Sequence, residues 1–458
     1  MSPPDPASPL LTKPDAPRAF HIMAKPTGAI CNLDCSYCFF LSKEMLYEGS
    51  RFKMADALLE EYLEQLIDAH AEVPVVTIAW QGGEPTLMGV EFFRRSVEIA
   101  ERHLKPGQRA EYSIQTNGTL IDEEWAQFFV DNDFLVGISI DGPPDIHDTH
   151  RVTKGGKGSF DQVFRGLTHL REAGAQYNVL TTVHAANGDR GREVYAFLRD
   201  VCGAEYIQLI PILERTDGSA DGPETWSSWR DRPLYIQTGA LTTPRSIGDE
   251  QWGRFLVDVF EEWVRRDVGK VYVQMFDVAL ANWAGEHPGL CIHSETCGLA
   301  LALEHTGDVY SCDHFVEPDY LIGNIKERKL IELVASPRQQ QFGRDKLDTL
   351  PQFCLDCDVR FACHGGCPKD RFATTPDGEA GLNYLCPGFK GFFHHIDAPM
   401  RMMRDQLRAG RAPADIMAAY AQADARRGRN DPCTCGSGRK WKNCHGGPIP
   451  SAAGPTPS

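Results

Sequence analysis

The stretch CNLDCSYC, residues 31–38, places three thiols, Cys31, Cys35 and Cys38, in one short loop. Three thiolates can hold three irons of a cubane [4Fe-4S] cluster and leave the fourth iron open to another ligand. A zinc knuckle or a partial disulfide set is the alternative that three bare cysteines leave open. The loop follows an apolar, strand-like run, and aromatic residues stand on both sides of its third cysteine. This context favours the cluster.

The composition is that of a globular protein. The chain has 458 residues, of which 42% are hydrophobic and 24% are charged. Its length suits about three domains. The formal net charge of -16 opposes binding to nucleic acid or to an anionic membrane surface, so we expect neither partner.

The first residues are rich in proline and have no apolar segment flanked by basic residues, as a secretory signal would have. We expect residues 1–18 to be a disordered arm. No apolar run approaches the length of a membrane span, so we expect a cytoplasmic protein. Thiols stay reduced there, and the 15 cysteines then indicate metal sites before disulfides. Cys202 stands alone among apolar neighbours and is expected to be a buried structural thiol.

Strand-like and helix-like segments alternate after the arm. Near-continuous apolar strands between amphipathic helices predict a parallel sheet covered by helices, an α/β fold. Six strands are predicted, at residues 19–25, 75–80, 110–116, 134–140, 177–183 and 206–213. The clearest predicted helices lie at residues 55–71, 251–267 and 391–409. Between the sheet and the later helices, residues 214–249 are predicted to be an irregular insertion.

Polar and glycine-rich segments follow three of the predicted strands. They are QGGEP at residues 81–85, QTNG at 115–118 and SIDG at 139–142, with Arg151 shortly after the last. Each alone is also typical of a strand-to-helix turn. In parallel sheets, however, functional residues lie just past the carboxyl ends of the strands. Three such segments beside one cysteine loop favour a ligand site at that edge.

A second group of cysteines follows the helix at residues 251–267. Eight thiols supply two complete four-cysteine sites, which suits two further clusters or a pair of zinc ribbons. The spacing alone leaves both open. The eight are Cys291, Cys297, Cys312, Cys354, Cys357, Cys363, Cys367 and Cys386.

The end of the chain carries a third kind of site. After an Ala-, Arg- and Pro-rich linker at residues 410–429, three thiols and an imidazole within residues 430–447 suit one tetrahedral zinc ion. The proposed ligands are Cys433, Cys435, Cys444 and His445. Residues 448–458 are small residues and prolines, and we expect them to be disordered.

The cysteine loop, with an aromatic before its last cysteine, resembles that of the radical S-adenosylmethionine (radical SAM) enzymes. The resemblance implies a partial (β/α)6 TIM barrel over residues 19–250. It also implies that the open iron binds S-adenosylmethionine, from which one electron generates a 5'-deoxyadenosyl radical. The implied contacts of S-adenosylmethionine are Tyr37, through its backbone, with Gly83, Ser139, Arg151 and Leu213.

The eight-cysteine region resembles the SPASM domain of peptide-modifying radical SAM enzymes, which implies such a domain over residues 251–409. The family pattern interleaves the ligands of two auxiliary [4Fe-4S] clusters, for three clusters in all. The nearer auxiliary cluster would take Cys291, Cys297, Cys312 and Cys367. The farther one would take Cys354, Cys357, Cys363 and Cys386. With four ligands each, these clusters would transfer electrons and leave no iron for substrate.

Among SPASM proteins, the QGGEP and SIDG segments and the pair Cys312-Asp313 resemble the anaerobic sulfatase-maturating enzymes. These oxidise a cysteine or serine of an unfolded sulfatase to Cα-formylglycine. The resemblance implies that Asp313 is the catalytic base, with His314 as an adjacent competitor. It also suggests a flavodoxin or ferredoxin as reductant. The alternatives are a SPASM maturase that forms a thioether or carbon-carbon crosslink in another peptide, and a zinc-bound adaptor.

The tail resembles the zinc motif at the end of the preprotein translocase ATPase. That likeness implies a separate module that recruits a partner. On this view, loss of the tail would leave the iron sites and the chemistry largely intact.

Overall fold

The computed structural model describes residues 16–218 and 234–448. Most of the predicted arm, part of the predicted insertion and the final segment after residue 448 lie outside the described residues. The strands are β1 (His21–Lys25), β2 (Val75–Trp80), β3 (Arg109–Thr116), β4 (Leu135–Ser139), β5 (Tyr177–Val183), β6 (Tyr206–Pro211), β7 (Arg215–Thr216), β8 (Leu241–Thr242), β9 (Tyr272–Val273), β10 (Ala300–Glu304), β11 (Asp308–Tyr310), β12 (Leu321–Asn324), β13 (Ala373–Thr374) and β14 (Ala380–Leu382).

Ten of these strands form one sheet, in the order β12-β11-β10-β1-β2-β3-β4-β5-β6-β9. Strands β1 to β6 are parallel neighbours in chain order, and β9 adds in parallel to β6. The predicted α/β fold with six β-α units is therefore confirmed. Because the strands are parallel, their carboxyl ends meet at one edge, and the loops that follow them face one another there.

The cysteine-rich half of the chain extends the same sheet. Strand β10 pairs in parallel with β1, with His21 opposite Ala300, and β11 and β12 follow in antiparallel pairing. This addition was not predicted from the sequence. It brings the turn after β11, which contains Cys312 and Asp313, to the side of the loop after β1.

The helices are α1 (Asp56–Ala69), α2 (Val90–His103), α3 (Glu123–Asp131), α4 (Pro144–His150), α5 (Phe160–Ala173), α6 (Gly191–Ala196), α7 (Asp249–Arg266), α8 (Gln274–Ala284), α9 (Leu330–Val334), α10 (Pro337–Asp348), α11 (Gln352–Leu355), α12 (Arg360–Cys363), α13 (Cys386–Arg408) and α14 (Ile416–Ala425). The three predicted helices are confirmed as α1, α7 and α13. Helix α13 begins five residues earlier than predicted, since Pro387 stands in its first turn, where a missing N–H costs nothing.

The core lies between the sheet and its helices. Val136 and Ile138 of β4 and Val179 of β5 are fully buried in it, as is the isolated thiol of Cys202. Alternation along the strands sends the side chain of Ser139 to the opposite face. Part of the predicted insertion is regular, because β7 and β8 pair as a small antiparallel ribbon. No helix of the described chain is long and apolar enough to cross a membrane.

Candidate active site

The cysteine loop after β1 is held by the QGGEP segment after β2. Gly83 N–H donates to the Gly28 carbonyl at 2.8 Å, and Glu84 N–H donates to the Ile30 carbonyl at 2.9 Å. A Cβ at Gly83 would lie 2.1 Å from the Ile30 oxygen, so only glycine fits. Gly83, a predicted contact of S-adenosylmethionine, thus lies against the loop.

The thiols of this loop have the environment of cluster ligands. Burial raises the pKa of Cys35 to about 12, and burial together with Glu84 and the neighbouring thiols raises that of Cys31. The sulfur of Cys31 accepts from Leu33 N–H at 3.4 Å and from Asn117 Nδ2 at 3.6 Å. Hydrogen bonds to sulfur tune an iron-sulfur cluster, and bound metal displaces the protons that buried thiols retain. The residues present therefore fit such a cluster.

Glu84 fixes this arrangement from the next strand. Its side chain is 0% exposed and accepts from Thr116 Oγ1 and Asn117 N–H, both at 2.7 Å, and from the N–H and hydroxyl of Thr86. These bonds join the end of β3 to the segment that holds the cysteine loop, and so aim Asn117 at Cys31. The QGGEP motif is visible in the sequence, but no role of Glu84 was predicted from it.

A second buried carboxylate, Asp141, follows β4. It accepts from the Tyr37 hydroxyl at 2.6 Å, from Arg151 Nε at 2.9 Å and from Thr182 N–H at 3.0 Å. Burial opposes its ionisation, but Arg151 and His147 hold the pKa of Asp141 well below the ordinary value. Asp141 thus ties two predicted contacts, Tyr37 and Arg151, to the sheet edge. The SIDG motif includes Asp141, but only its serine was predicted to contact a ligand.

The two remaining predicted contacts of S-adenosylmethionine, Ser139 and Leu213, lie in different surroundings. Ser139 ends β4 and its hydroxyl accepts from Gln115 Nε2 at 3.1 Å, so it lies at the same edge. The Leu213 side chain is packed in the main core, whereas Ile212 packs against the cysteine loop. A contact at Leu213 would therefore involve its backbone.

Asp313, the predicted base, lies buried beside the cysteine loop. It is 7% exposed and accepts a short hydrogen bond from the ammonium of Lys25, the last residue of β1. Lys25 Nζ lies 4.1 Å from the centroid of the Phe40 ring, two residues past Cys38. Burial opposes ionisation of Asp313, but Lys25 and His314 hold its pKa below the ordinary carboxyl value. The site thus presents a fixed carboxylate.

Lys25 was not identified from the sequence. It is 1% exposed, whereas lysine is almost never buried unless it is paired. Its partner, Asp313, lies 288 positions away and reaches it only because β10 adds to β1. The apolar run around Lys25 was the only available indication of its burial.

His314, the competing base, has different neighbours. Its ring stacks on Phe39 with the centroids 5.9 Å apart, and Nδ1 lies 3.8 Å from the sulfur of Cys312. Burial lowers the pKa of this imidazole. The ring therefore lies between the cysteine loop and the proposed ligand Cys312.

The thiols assigned to the nearer auxiliary cluster lie together. Burial, Cys367 and Cys291 raise the pKa of Cys312. Burial, opposed by Lys346 and reinforced by Cys291, raises the pKa of Cys297 to about 11. The Lys346 ammonium donates to the Cys291 carbonyl at 2.5 Å and so fixes the segment that carries the first ligand.

The thiols assigned to the farther cluster line one cavity, which contains Cys354, Cys357, Cys363 and Cys386. Burial raises the pKa of Cys363 to about 12 and that of Cys386 to about 11. Each of these two thiols also interacts with Cys354 and Cys357. The structure thus groups the eight thiols as the family pattern does.

The distances between cysteine sulfurs are relevant to the alternative that the eight cysteines form a pair of zinc ribbons. A single zinc ion with bonds of about 2.3 Å to sulfur needs its ligand atoms close together. Within the described residues, the tail set alone has three or more potential ligand atoms that all lie within 4.8 Å of one another. Among the described residues the eight auxiliary cysteines form no such compact group, and a cubane, where each thiolate binds a different iron, does not require one.

The tail residues fit one zinc ion. His445 Nδ1 lies 3.3 Å from the sulfur of Cys433 and 3.4 Å from that of Cys444, and the sulfurs of Cys435 and Cys444 are 3.5 Å apart. The other ring nitrogen of His445 faces the Asp258 carbonyl of α7 at 3.4 Å. The motif therefore packs on α7, while its independence from the iron sites stays a prediction.

Family profiles match three parts of the chain. The Radical SAM superfamily matches residues 26–200, the SPASM iron-sulfur cluster-binding domain matches residues 296–358, and the SEC-C motif matches residues 429–447. The chain is thus a radical SAM enzyme that uses S-adenosylmethionine and iron-sulfur clusters. The zinc-adaptor alternative is set aside.

Similar proteins identify the family of this chain within the radical SAM enzymes. A serine-type anaerobic sulfatase-maturating enzyme of Bacteroides thetaiotaomicron is 42% identical over 403 residues, 88% of this chain and 95% of that protein. A cysteine-type enzyme of Clostridium novyi is 31% identical over 378 residues, 82% and 95% of the two chains. The solved structure of native anSMEcpe with bound AdoMet and Kp18Cys peptide superposes with a TM-score of 0.72 at 28% identity, covering 84% of this chain and 99% of that chain. On this evidence the chain belongs to the anaerobic sulfatase-maturating enzymes.

Proposed function

We propose that this enzyme oxidises a cysteine or serine of an unfolded sulfatase to Cα-formylglycine. The observation that carries the proposal is the buried Asp313 carboxylate, held by Lys25 beside the three-thiol loop. This oxidation needs a base close to the group that supplies the radical. Support also comes from the serine-type and cysteine-type relatives and from the peptide-bound solved structure.

The oxidation removes one hydrogen atom from Cβ, one proton from the hydroxyl or thiol, and one further electron. The cluster of the cysteine loop and S-adenosylmethionine, when bound, supply the radical that takes the hydrogen atom. Asp313 accepts the proton, since a carboxylate within hydrogen-bond reach of the heteroatom suits that role. A serine gives the aldehyde directly. A cysteine gives a thioaldehyde, which water converts to the aldehyde with loss of hydrogen sulfide.

Lys25 positions the proposed base, and Asp141 positions proposed contacts of the cofactor. The Lys25 ammonium keeps Asp313 ionised and directs it toward the loop. Asp141 orients Arg151 and Tyr37, and the Arg151 guanidinium is a suitable partner for the methionine carboxylate of the cofactor. The chain itself thus contributes a fixed base and a fixed cationic contact.

We further propose three [4Fe-4S] clusters and one zinc ion per chain, with the ligands assigned above. An auxiliary cluster, when bound, would accept the electron left by the oxidation, and its four thiolates would leave no iron for substrate. A flavodoxin or ferredoxin supplies the electron that starts each turnover.

The test is anaerobic incubation with S-adenosylmethionine, a low-potential reductant and two sulfatase-derived peptides that differ only in cysteine or serine at the target. We expect the serine peptide to lose two hydrogen atoms and to react with a hydrazide probe. A thioether or carbon-carbon crosslink also loses two hydrogen atoms but has no aldehyde. Mass loss without hydrazide labelling would therefore favour the crosslinking alternative over formylglycine.

A further inference from the structure

Helix α7 carries two adjacent carboxylates, Glu261 and Glu262, which are 2% and 1% exposed. Buried charges need partners, and those of this pair come from different segments of the chain. Both carboxylates lie at the contact between α7 and the zinc motif, here defined as residues 429–447.

Glu261 joins α7 to two other segments. One of its oxygens lies 2.7 Å from His395 Nε2 of α13. The other accepts from the Thr434 hydroxyl of the zinc motif at 2.6 Å and from Arg265 at 2.7 Å. Arg265 also donates to Thr434, at 3.0 Å. Two side chains of α7, Glu261 and Arg265, therefore hydrogen-bond to the Thr434 hydroxyl.

Glu262 connects the zinc motif to the barrel. It accepts from Arg192 Nε of α6 at 2.7 Å, and Arg192 Nη1 donates to the Cys444 carbonyl at 2.8 Å. The backbone of a proposed zinc ligand is thus bound by a side chain of the barrel.

The zinc ligand His445 makes a third connection. Its Nε2 faces the Asp258 carbonyl of α7 at 3.4 Å, while Nδ1 faces the thiols. An imidazole that binds a metal through one nitrogen is oriented by the acceptor at the other. The side of the motif that holds the metal is therefore the side that packs on α7.

Helix α7 in turn fixes α13. A Cβ at Gly253 would lie 2.6 Å from the Gly388 oxygen, and one at Gly388 would lie 2.2 Å from the Asp249 oxygen. The two backbones thus touch two residues after Cys386, the first residue of α13. This close approach places α7 against the first turn of α13, beside this proposed ligand of the farther cluster.

We propose that the zinc motif is an internal clasp that holds α7 against α13 and so keeps Cys386 in place for the farther auxiliary cluster. The part of the proposal that concerns iron rests on the ligand assignment of Cys386 made above. The clasp itself rests on the contacts of Arg192, Glu261, Glu262, Thr434 and His445.

Two full-length variants test the clasp. Cys444→Ser removes a zinc ligand. The double variant Arg192→Met, Thr434→Val leaves all zinc ligands in place but removes the hydrogen bonds that these two side chains make to α7 and to the Cys444 carbonyl. In both we expect amide hydrogen exchange of residues 386–396 to become about tenfold faster, because local opening is no longer opposed. We also expect both to lose about four of about twelve irons during anaerobic dialysis.

The matched control is Lys440→Gln, an exposed position of the same motif, which should change neither exchange nor iron content. Unchanged exchange in both test variants, with zinc lost from Cys444→Ser, would overturn the clasp and favour the separate module predicted from the sequence. Faster exchange with full iron retention would support the clasp and overturn the assignment of Cys386 as a ligand.

Discussion

The proposed cluster sites of this chain fall into two kinds. The loop after β1 offers three thiols among polar groups, at the edge where six parallel strands end. The later sites offer four thiols each, and these thiols come from turns, short helices and the start of α13. The difference teaches that reactivity follows from an incomplete ligand set placed at a sheet edge, whereas a complete set is suited to electron transfer.

The largest expected effect comes from removing the incomplete set. Replacing Cys31, Cys35 and Cys38 by alanine should abolish cleavage of S-adenosylmethionine and leave about 8 of about 12 irons. Iron analysis and chromatography of 5'-deoxyadenosine measure both. Cys202→Ala, which removes a fully buried thiol of the core, is the matched control and should keep full iron content. Retained cleavage in the triple variant would contradict the radical assignment.

Removal of one cysteine from a four-cysteine set should have a different outcome. Cys363→Ala should cost about four irons and stop formylglycine formation, yet 5'-deoxyadenosine should still form, because the first loop is intact. The measurement is the ratio of the two products per chain. Equal loss of both would show that the two kinds of site are not separable in this way.

A smaller effect is expected at the base. Asp313→Asn should lower formylglycine production by roughly 100-fold or more, the scale on which general bases contribute, with normal iron content and continued 5'-deoxyadenosine formation. His314→Gln is the adjacent comparison and should have little effect on the product. Were the loss to follow His314 instead, the base would be misassigned.

The smallest effect is expected at Lys25. Lys25→Met should lower formylglycine yield per 5'-deoxyadenosine by about tenfold, as for other residues that orient a functional group, and Lys25→Arg should recover part of it. Lys43→Met is the matched control, because Lys43 is equally buried and pairs with Glu317 at 3.4 Å instead of Asp313. A similar loss in both methionine variants would indicate general destabilisation and not positioning.

Much of the candidate site could be predicted because many of its residues lie close together along the chain. The spacing within residues 31–38, the glycine-rich strand ends and the tail motif each occupy a few consecutive residues. Periodicity alone gave β2 and β5 with their bounds and the apolar face of α1. The buried carboxylates Glu84 and Asp141 escaped notice because turn residues of this kind are usually exposed, and only their donors reveal their role.

By itself, the sequence determined the fold class, the family and the residue types available for metal binding, since these depend on local spacing and on the period of apolar residues. Only the tertiary structure decided which distant groups meet. The pairing of β10 with β1 brings Asp313 to Lys25, and the packing of the tail on α7 joins Thr434 to Glu261. Such contacts depend on how strands and helices are assembled, and no periodicity or spacing along the chain records that assembly.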